Sequence, residues 1–366
     1  MERIARKDPS IISLGQGIPA GGADKCIHDS VVAAMRQENV DQYSDPQGIV
    51  LLRSTIAQAT ANEGMTYTED ETIVTSGAIE AINVALHFAV TNLRKKVIIP
   101  TPTYSAYFNA VSLSGGVVSE LACVPSSEWD IDLGQLESLT DESTAAVLLS
   151  NPNNPTGTCY SRQTLEAIAE IAQKAGALVI VDEVYRHMLY DTKYYSLAES
   201  RQYKKDILRV TSFSKDFNMT GWRVGYIQAD SSRVDALLKV HDTLVNCTSV
   251  VSQYAGVAAL EKQHEIVKTN LAVLRHKRKM MSGYLGTLSS VISYQLPSAG
   301  YFFFVNLHGR SDKKVADDLL KRGVVVVPGS AFGAAGAGYL RLCFGREYTA
   351  IEIGMKKIVE YFRETA

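Results

Sequence analysis

The chain has 366 residues, 46% of them hydrophobic and 21% charged, with 37 Lys+Arg against 39 Asp+Glu and a formal net charge of −2. Such a length and apolar fraction call for a large buried core, in one very large domain or two smaller ones, and exclude disordered, collagenous and mini-protein classes. With no basic block longer than the RHKRK run at Arg275, the charge gives no reason to expect a nucleic-acid partner. Five scattered cysteines (Cys26, Cys123, Cys159, Cys247, Cys343) without CxxC spacing argue against a disulfide framework or a cysteine metal site, and for a reducing compartment. Apolar stretches stop well short of ~18 residues and MERIARKDPS lacks an apolar signal core, so a cytoplasmic protein with no membrane partner is expected.

In chain order, residues 96–99 (KVII) read as a strand ended by Pro100 and Pro102, and residues 145–149 (AAVLL) as another, halted by the loop 151–157. Apolar positions at helical spacing predict a helix over 165–174, closed by Gly176, before the strand ALVIVD ends at Asp182. ILRVTS, ending at Ser212, and GYIQA, from Gly225, are further strands. This alternation predicts an α/β sheet covered on both faces, with ligands at the strand ends. Residues 251–280 read as one long connecting helix, charged on one side. Beyond it, SYQLPSAGYFFFVNL, GVVVVPG and YLRLCFG, with helices at 315–321 and 351–362, predict an α+β unit with an antiparallel sheet. The first 35 residues are too few for a domain and are expected to pack against that unit.

The segment 211–226, TSFSKDFNMTGWRVGY, sets Lys215 just after two serines and eight residues before Arg223. Alone, Lys215 would read as a surface lysine. Upstream, VDEVY places Asp182 at the end of an apolar strand, where a carboxylate needs a partner because burying it alone is expensive. NPNNPTG, residues 151–157, is a rigid loop with side chains able to cap their own backbone.

With LGQGIP at Leu14 and LRLCFG at Leu340, these motifs span nearly the whole chain, which resembles the class I and II aminotransferases of the fold type I pyridoxal-phosphate enzymes, in their aspartate and aromatic aminotransferase-like branch. The resemblance implies an α/β fold, with a large cofactor-binding domain over 36–280, built on a mostly parallel seven-stranded sheet between helices, and a small α+β domain from 1–35 and 281–366. It implies pyridoxal 5′-phosphate as cofactor, attached through the Lys215 amine, which then serves as the base that moves the substrate proton. Asp182 would hold the pyridine nitrogen protonated, and Tyr185 and Asn154 would donate to the ring oxygen. Gly77, Ala78 and Ile79 match the phosphate loop at a helix start, with Ser212 and Arg223 as the second phosphate contact. Tyr104 matches the aromatic residue stacked on the ring. Arg341 matches the clamp on the substrate α-carboxylate, Gly17 would contact the substrate from above, and Tyr43 would reach the phosphate of a second subunit. A homodimer with shared sites follows, acting on a small amino acid and a 2-oxo acid.

No residue is assigned to a distal carboxylate; Ile18, Tyr301, Phe302 and Phe303 leave a neutral or aromatic side chain open. Transamination in amino-acid metabolism is the leading function. A carbon–sulfur β-lyase or another amino-acid lyase is the alternative, since such enzymes keep the same lysine and aspartate. A binding module without turnover is a third reading, against which the retained Lys215 speaks.

Overall fold

Runs of aliphatic residues without polar alternation become strands buried on both faces. In the computed structural model, which describes residues 2–5, 7–37 and 39–365, seven strands share one sheet: β1 (Thr72–Thr75), β2 (Lys96–Thr101), β3 (Val117–Ala122), β4 (Thr144–Ser150), β5 (Leu178–Asp182), β6 (Ile207–Ser212) and β7 (Gly225–Gln228). Their order is β1-β7-β6-β5-β4-β2-β3. Strand β7 alone is reversed, pairing antiparallel with β1 and β6, while every other neighbouring pair is parallel. Every residue of β4, β5 and β6 is buried. Alternate residues serve opposite faces: Ile180 packs with Ile82 and Leu86 of the helix Ala78–Ala89, whereas Val179 packs with Leu165 and Ile168 of the helix Arg162–Lys174. Ser150, Asp182 and Ser212 thereby end three adjacent parallel strands at one edge of the sheet.

A second, antiparallel sheet is formed by β8 (Ser293–Tyr294), β9 (Phe302–Asn306), β10 (Val327–Pro328) and β11 (Tyr339–Cys343), in the order β10-β11-β9-β8. Phe303, Val305, Leu340 and Leu342 share a core with Met281 and Leu285 of the helix Gln263–Gly286 and with Met355 and Ile358 of the helix Tyr348–Glu364.

Four local expectations are corrected. Strand β2 runs through Pro100 to Thr101; its ladder to β4 has already ended at Ile98, so the missing proline N–H interrupts nothing on that side. The single helix over 251–280 is two, Val250–Glu261 and Gln263–Gly286, meeting at Lys262. The first is buried almost throughout, whereas the second is amphipathic and reaches the smaller sheet's core, so one straight rod could not serve both. GVVVVPG divides: Val324–Val325 pairs in parallel with Ile12–Ser13, and β10 takes the edge of the antiparallel sheet, the position a proline tolerates. The N-terminal 35 residues do not pack as one. Leu14 joins the smaller sheet's core, but the helix Lys25–Gln37 turns Ile27 and Val31 onto Leu52, Ile56 and Leu260.

Candidate active site

One cavity of about 450 Å³ opens at the strand ends of the large sheet. Gly17, Tyr104, Asn154, Asp182, Tyr185 and Arg341 line it, together with Ala78, Ile79, Ser212, Lys215 and Arg223. Gly77 lies just behind this lining, at the N-cap of the helix Ala78–Ala89. Tyr43 lies outside the cavity, with 84% of its surface exposed.

Asp182 is the last residue of β5, so the strand that buries its body also aims its carboxylate into the cavity. Burial pushes that carboxyl up to about 6, against the opposing pull of two donors and of the Lys215 charge. The donors are the Tyr107 hydroxyl to Oδ2 at 2.7 Å and the Val184 N–H to Oδ1 at 3.1 Å. Tyr107 was not among the residues predicted from sequence. Its one signal is the three-residue spacing from Tyr104, whose ring it meets edge-on at 5.6 Å.

Lys215 sits in the four-residue turn Phe213–Asp216 that follows β6, and the Ser212 hydroxyl caps this turn by accepting from Ser214 N at 3.0 Å. Burial brings the Lys215 amine down to about 8; Arg341 and Arg223 push the same way, and Cys343 and Asp182 oppose. Its Nζ donates to the Gly17 carbonyl at 2.8 Å, which also accepts from Tyr301 Oη at 2.9 Å. Gly17 has no room for a side chain, since a Cβ would fall 2.8 Å from Phe302 Cζ.

Arg341 projects from β11 between Leu340 and Leu342, which turn into the core. Its Nη1 donates to Asn154 Oδ1 at 3.0 Å and its Nη2 to the Gly15 carbonyl, and its Cζ lies 4.3 Å from the Phe302 ring centre. The Arg341 Nε is buried with no hydrogen-bond partner among the described residues. Asn154 has thus spent its oxygen on Arg341, and its amide N–H₂ is the end left to donate. Tyr185 packs edge-on against Tyr301 and Phe302, and burial pushes its phenol above the ordinary range.

At the far side, the helix Ala78–Ala89 begins at the cavity wall, and the free N–H groups of its first turn suit an anion. Arg223 stands beside it in the left-handed region, φ 53°, holding the Ser76 carbonyl with Nη2 at 3.1 Å and the Thr220 carbonyl with Nη1 at 3.1 Å. A side chain at Gly77, itself at φ 88°, would fall 2.5 Å from Arg223 Nη2. A buried amine of lowered pKa, a buried carboxylate, a helix start beside an arginine and a half-engaged buried guanidinium therefore share one cavity. No group of His, Cys, Asp and Glu able to hold a metal ion occurs among the described residues.

Residues 9–358 match the family Aminotransferase class I and II. An aspartate aminotransferase of Pyrococcus abyssi is 30% identical, the match covering 99% of this chain and 94% of that protein. An aromatic-amino-acid aminotransferase of Thermococcus litoralis is 29% identical over the same shares. The solved structure of an aromatic aminotransferase from Pyrococcus horikoshii superposes with a TM-score of 0.92 at 29% identity, covering 100% of this chain and 99% of that one. The chain belongs to the class I/II aminotransferases, the pyridoxal-phosphate family of fold type I, in its aspartate/aromatic aminotransferase-like branch. Among the described residues no helix is long and apolar enough to cross a membrane.

Proposed function

We propose that this protein is an aminotransferase that takes the amino group of an amino acid with a neutral or aromatic side chain and passes it to a 2-oxo acid. The observation that carries the reading is the meeting of Lys215, Asp182 and Arg341 around one cavity. The donor set fits pyridoxal phosphate: a primary amine brought down to about 8, a buried carboxyl, and a helix start beside Arg223 where Gly77 leaves space. When bound, the cofactor supplies an aldehyde for the amine and a ring that takes up the electron pair left at the substrate Cα. Lys215 would hold it and then carry the substrate proton. Asp182 would face its ring nitrogen, Asn154 and Tyr185 its ring oxygen, Tyr104 its face, and the Gly77–Ile79 backbone with Ser212 and Arg223 its phosphate.

Arg341 would orient the α-carboxylate, its planar fork matching the two oxygens and its unengaged Nε supplying a further donor. With Lys215, Arg223 and Arg341 so used, no arginine or lysine is left for a distal carboxylate among the described residues of the cavity lining, while Ile18, Val327, Phe302 and Phe332 offer apolar surface. This supports a neutral or aromatic side chain. Relatives named for aspartate and for aromatic amino acids stand at nearly equal identity and do not choose between them. The reading extends to a homodimer: Tyr43, Val50 and Leu51 are exposed by 84%, 56% and 52%, as residues awaiting a second copy would be, and Tyr43 would reach the partner's phosphate site.

The test is a half-reaction with a panel of amino acids and no oxo acid. Stoichiometric release of a 2-oxo acid, with the cofactor's absorbance passing to that of its amine form, is the expected result. Catalytic release of ammonia without that spectral change would overturn transamination in favour of elimination.

A further inference from the structure

Behind the cavity, on the side its reactive groups do not face, a second set of ionic side chains is buried. Arg209 Nε donates to Glu183 Oε2 at 2.6 Å, with both side chains fully buried. Arg186 Nη1 donates to Thr211 Oγ1 at 2.6 Å and lies 3.7 Å from Asp216 Oδ2, while its Nε lies 3.4 Å from Glu63 Oε2. Glu63 Oε2 is also 3.8 Å from Arg209 Nη2. The network joins at His187, whose Nδ1 meets Asp216 Oδ2 at 2.8 Å and whose Nε2 meets Glu63 Oε1 at 3.0 Å.

Each member except Arg209, Glu63 and His187 is a chain neighbour of a residue lining the cavity. Glu183 follows Asp182, Arg186 follows Tyr185, Thr211 precedes Ser212 and Asp216 follows Lys215. Alternation in extended chain sends Glu183 and Thr211 to the side opposite Asp182 and Ser212. In the turns beyond these strands Arg186 and Asp216 likewise stay out of the cavity lining, so the network grips the backbone from behind at each of these four points. The grip matters most at Lys215, because a four-residue turn cannot hold itself.

Without a charge on His187 the cluster contains two arginines against three carboxylates, an excess negative charge that burial makes costly. We propose that His187, held as an imidazolium between Asp216 and Glu63, is a positioning residue that neutralises this network and so fixes the turn that carries Lys215. It rests on the reading of Lys215 as the reacting amine.

The groups around His187 pull in both directions, with a net push toward the imidazolium. Burial and the Arg186 charge oppose its protonation, yet Asp216 from the lysine turn and Glu63 from the end of the helix Val50–Asn62 outweigh them and raise its pKa. Gln263, at the start of the helix Gln263–Gly286, contributes no charge; its Nε2 lies 3.2 Å from His187 Nε2 and 3.2 Å from Glu63 Oε1. The same arginines and the imidazolium hold Glu63 well below the usual carboxylate range despite its burial. His187 and Glu63 also border an open cavity with Glu261, His264 and Lys268, a route by which the proton exchanges with water.

The test uses the full chain without cofactor, so its outcome is independent of the amino-acid panel above. Nitrogen-edited NMR of the histidine rings, assigned with His187→Gln, should show His187 titrating above the ordinary ~6.5, and Glu63→Gln should lower that midpoint. In His187→Gln the uncompensated negative charge should raise the Lys215 midpoint and cut acylation of Lys215 at pH 8, read by peptide mass, on the order of threefold to tenfold. Adding Glu63→Gln to His187→Gln removes one carboxylate as well as the imidazolium and should restore the labelling, which a packing role would not. A His187 midpoint at or below the ordinary value, or a double variant no better labelled than His187→Gln, would overturn the proposal. Should His187→Gln not fold, the Glu63→Gln titration alone decides, with the His187 resonance assigned from His187→Asn.

Discussion

Replacing Tyr107 with phenylalanine removes one oxygen from the cavity and leaves its buried carboxylate with a single described donor, the Val184 N–H. A hydrogen bond to a charged acceptor is worth about 1.5–3 kcal/mol, and a pKa unit about 1.4 kcal/mol, so the Asp182 carboxyl should move up by about 1–2 units. Starting from about 6, it should then titrate above neutrality in the variant. The sign for stability follows from linkage: the folded value exceeds the unfolded ~3.9, so the contribution is full below about pH 4 and is lost as pH rises through the folded value. In Tyr107→Phe the loss continues to higher pH, so the variant should differ least from the native protein near pH 4. It should be about 1.5–3 kcal/mol less stable by pH 8. Infrared titration of the protonated carboxyl band, with Asp182→Asn identifying that band, reads the midpoint, and denaturant unfolding of cofactor-free protein reads the stability. An unmoved midpoint, or a stability loss equal at pH 4.5 and pH 8, would refute the assignment of Tyr107 as the donor that holds Asp182 charged.

Three further outcomes are expected. Competitive acylation of the cofactor-free chain should find Lys215 titrating near 8, which raises its neutral fraction at pH 7 about 300-fold over an ordinary lysine; a midpoint near 10 would remove the case for an activated amine. Gly77→Ala places a Cβ against Arg223 Nη2 at φ 88°, a strain of about 1–2 kcal/mol that should weaken cofactor binding by calorimetry about 5- to 30-fold, and unchanged affinity would show that the helix start is not the phosphate seat. Inactive Tyr43→Ala mixed with inactive Lys215→Ala should recover about a quarter of native site activity once mass-tagged chains show exchange, because about half the molecules become heterodimers carrying one intact site each. Exchange without recovery would end the shared-site reading.

What the sequence made legible follows from how local each signal is. Strand β5 and its terminal Asp182 are an apolar run stopped by a charge, and Arg341 stands out because Leu340 and Leu342 flank it on an alternating strand. Lys215 and Arg223 lie within one short segment whose spacing carries the resemblance. Tyr107 and the break at Lys262 were missed because each is decided by what it meets. A tyrosine becomes a donor to Asp182 only when the helix Ala106–Leu113 is laid across the end of β5, 75 residues away in sequence. The helix ends at Lys262 because two different cores pull its halves apart, and periodicity reports faces without naming partners.

The ionic network behind the site was hidden for the same reason more strongly: His187 and Glu63 are 124 residues apart, and neither carries a motif. Yet the sequence constrains that network once the fold is known. An extended chain that turns Asp182 toward the cavity must turn Glu183 away from it, and one that turns Ser212 forward must send Thr211 back. The positions beside each reactive residue are therefore the ones able to anchor it without entering the chemistry. Charged residues there require opposite charges from distant segments, because none could be buried alone. A charged residue flanking a predicted catalytic residue in a buried segment is thus itself a sequence signal, one that asks for a partner, and in this chain Glu183, Arg186 and Asp216 ask for Arg209, Glu63 and His187.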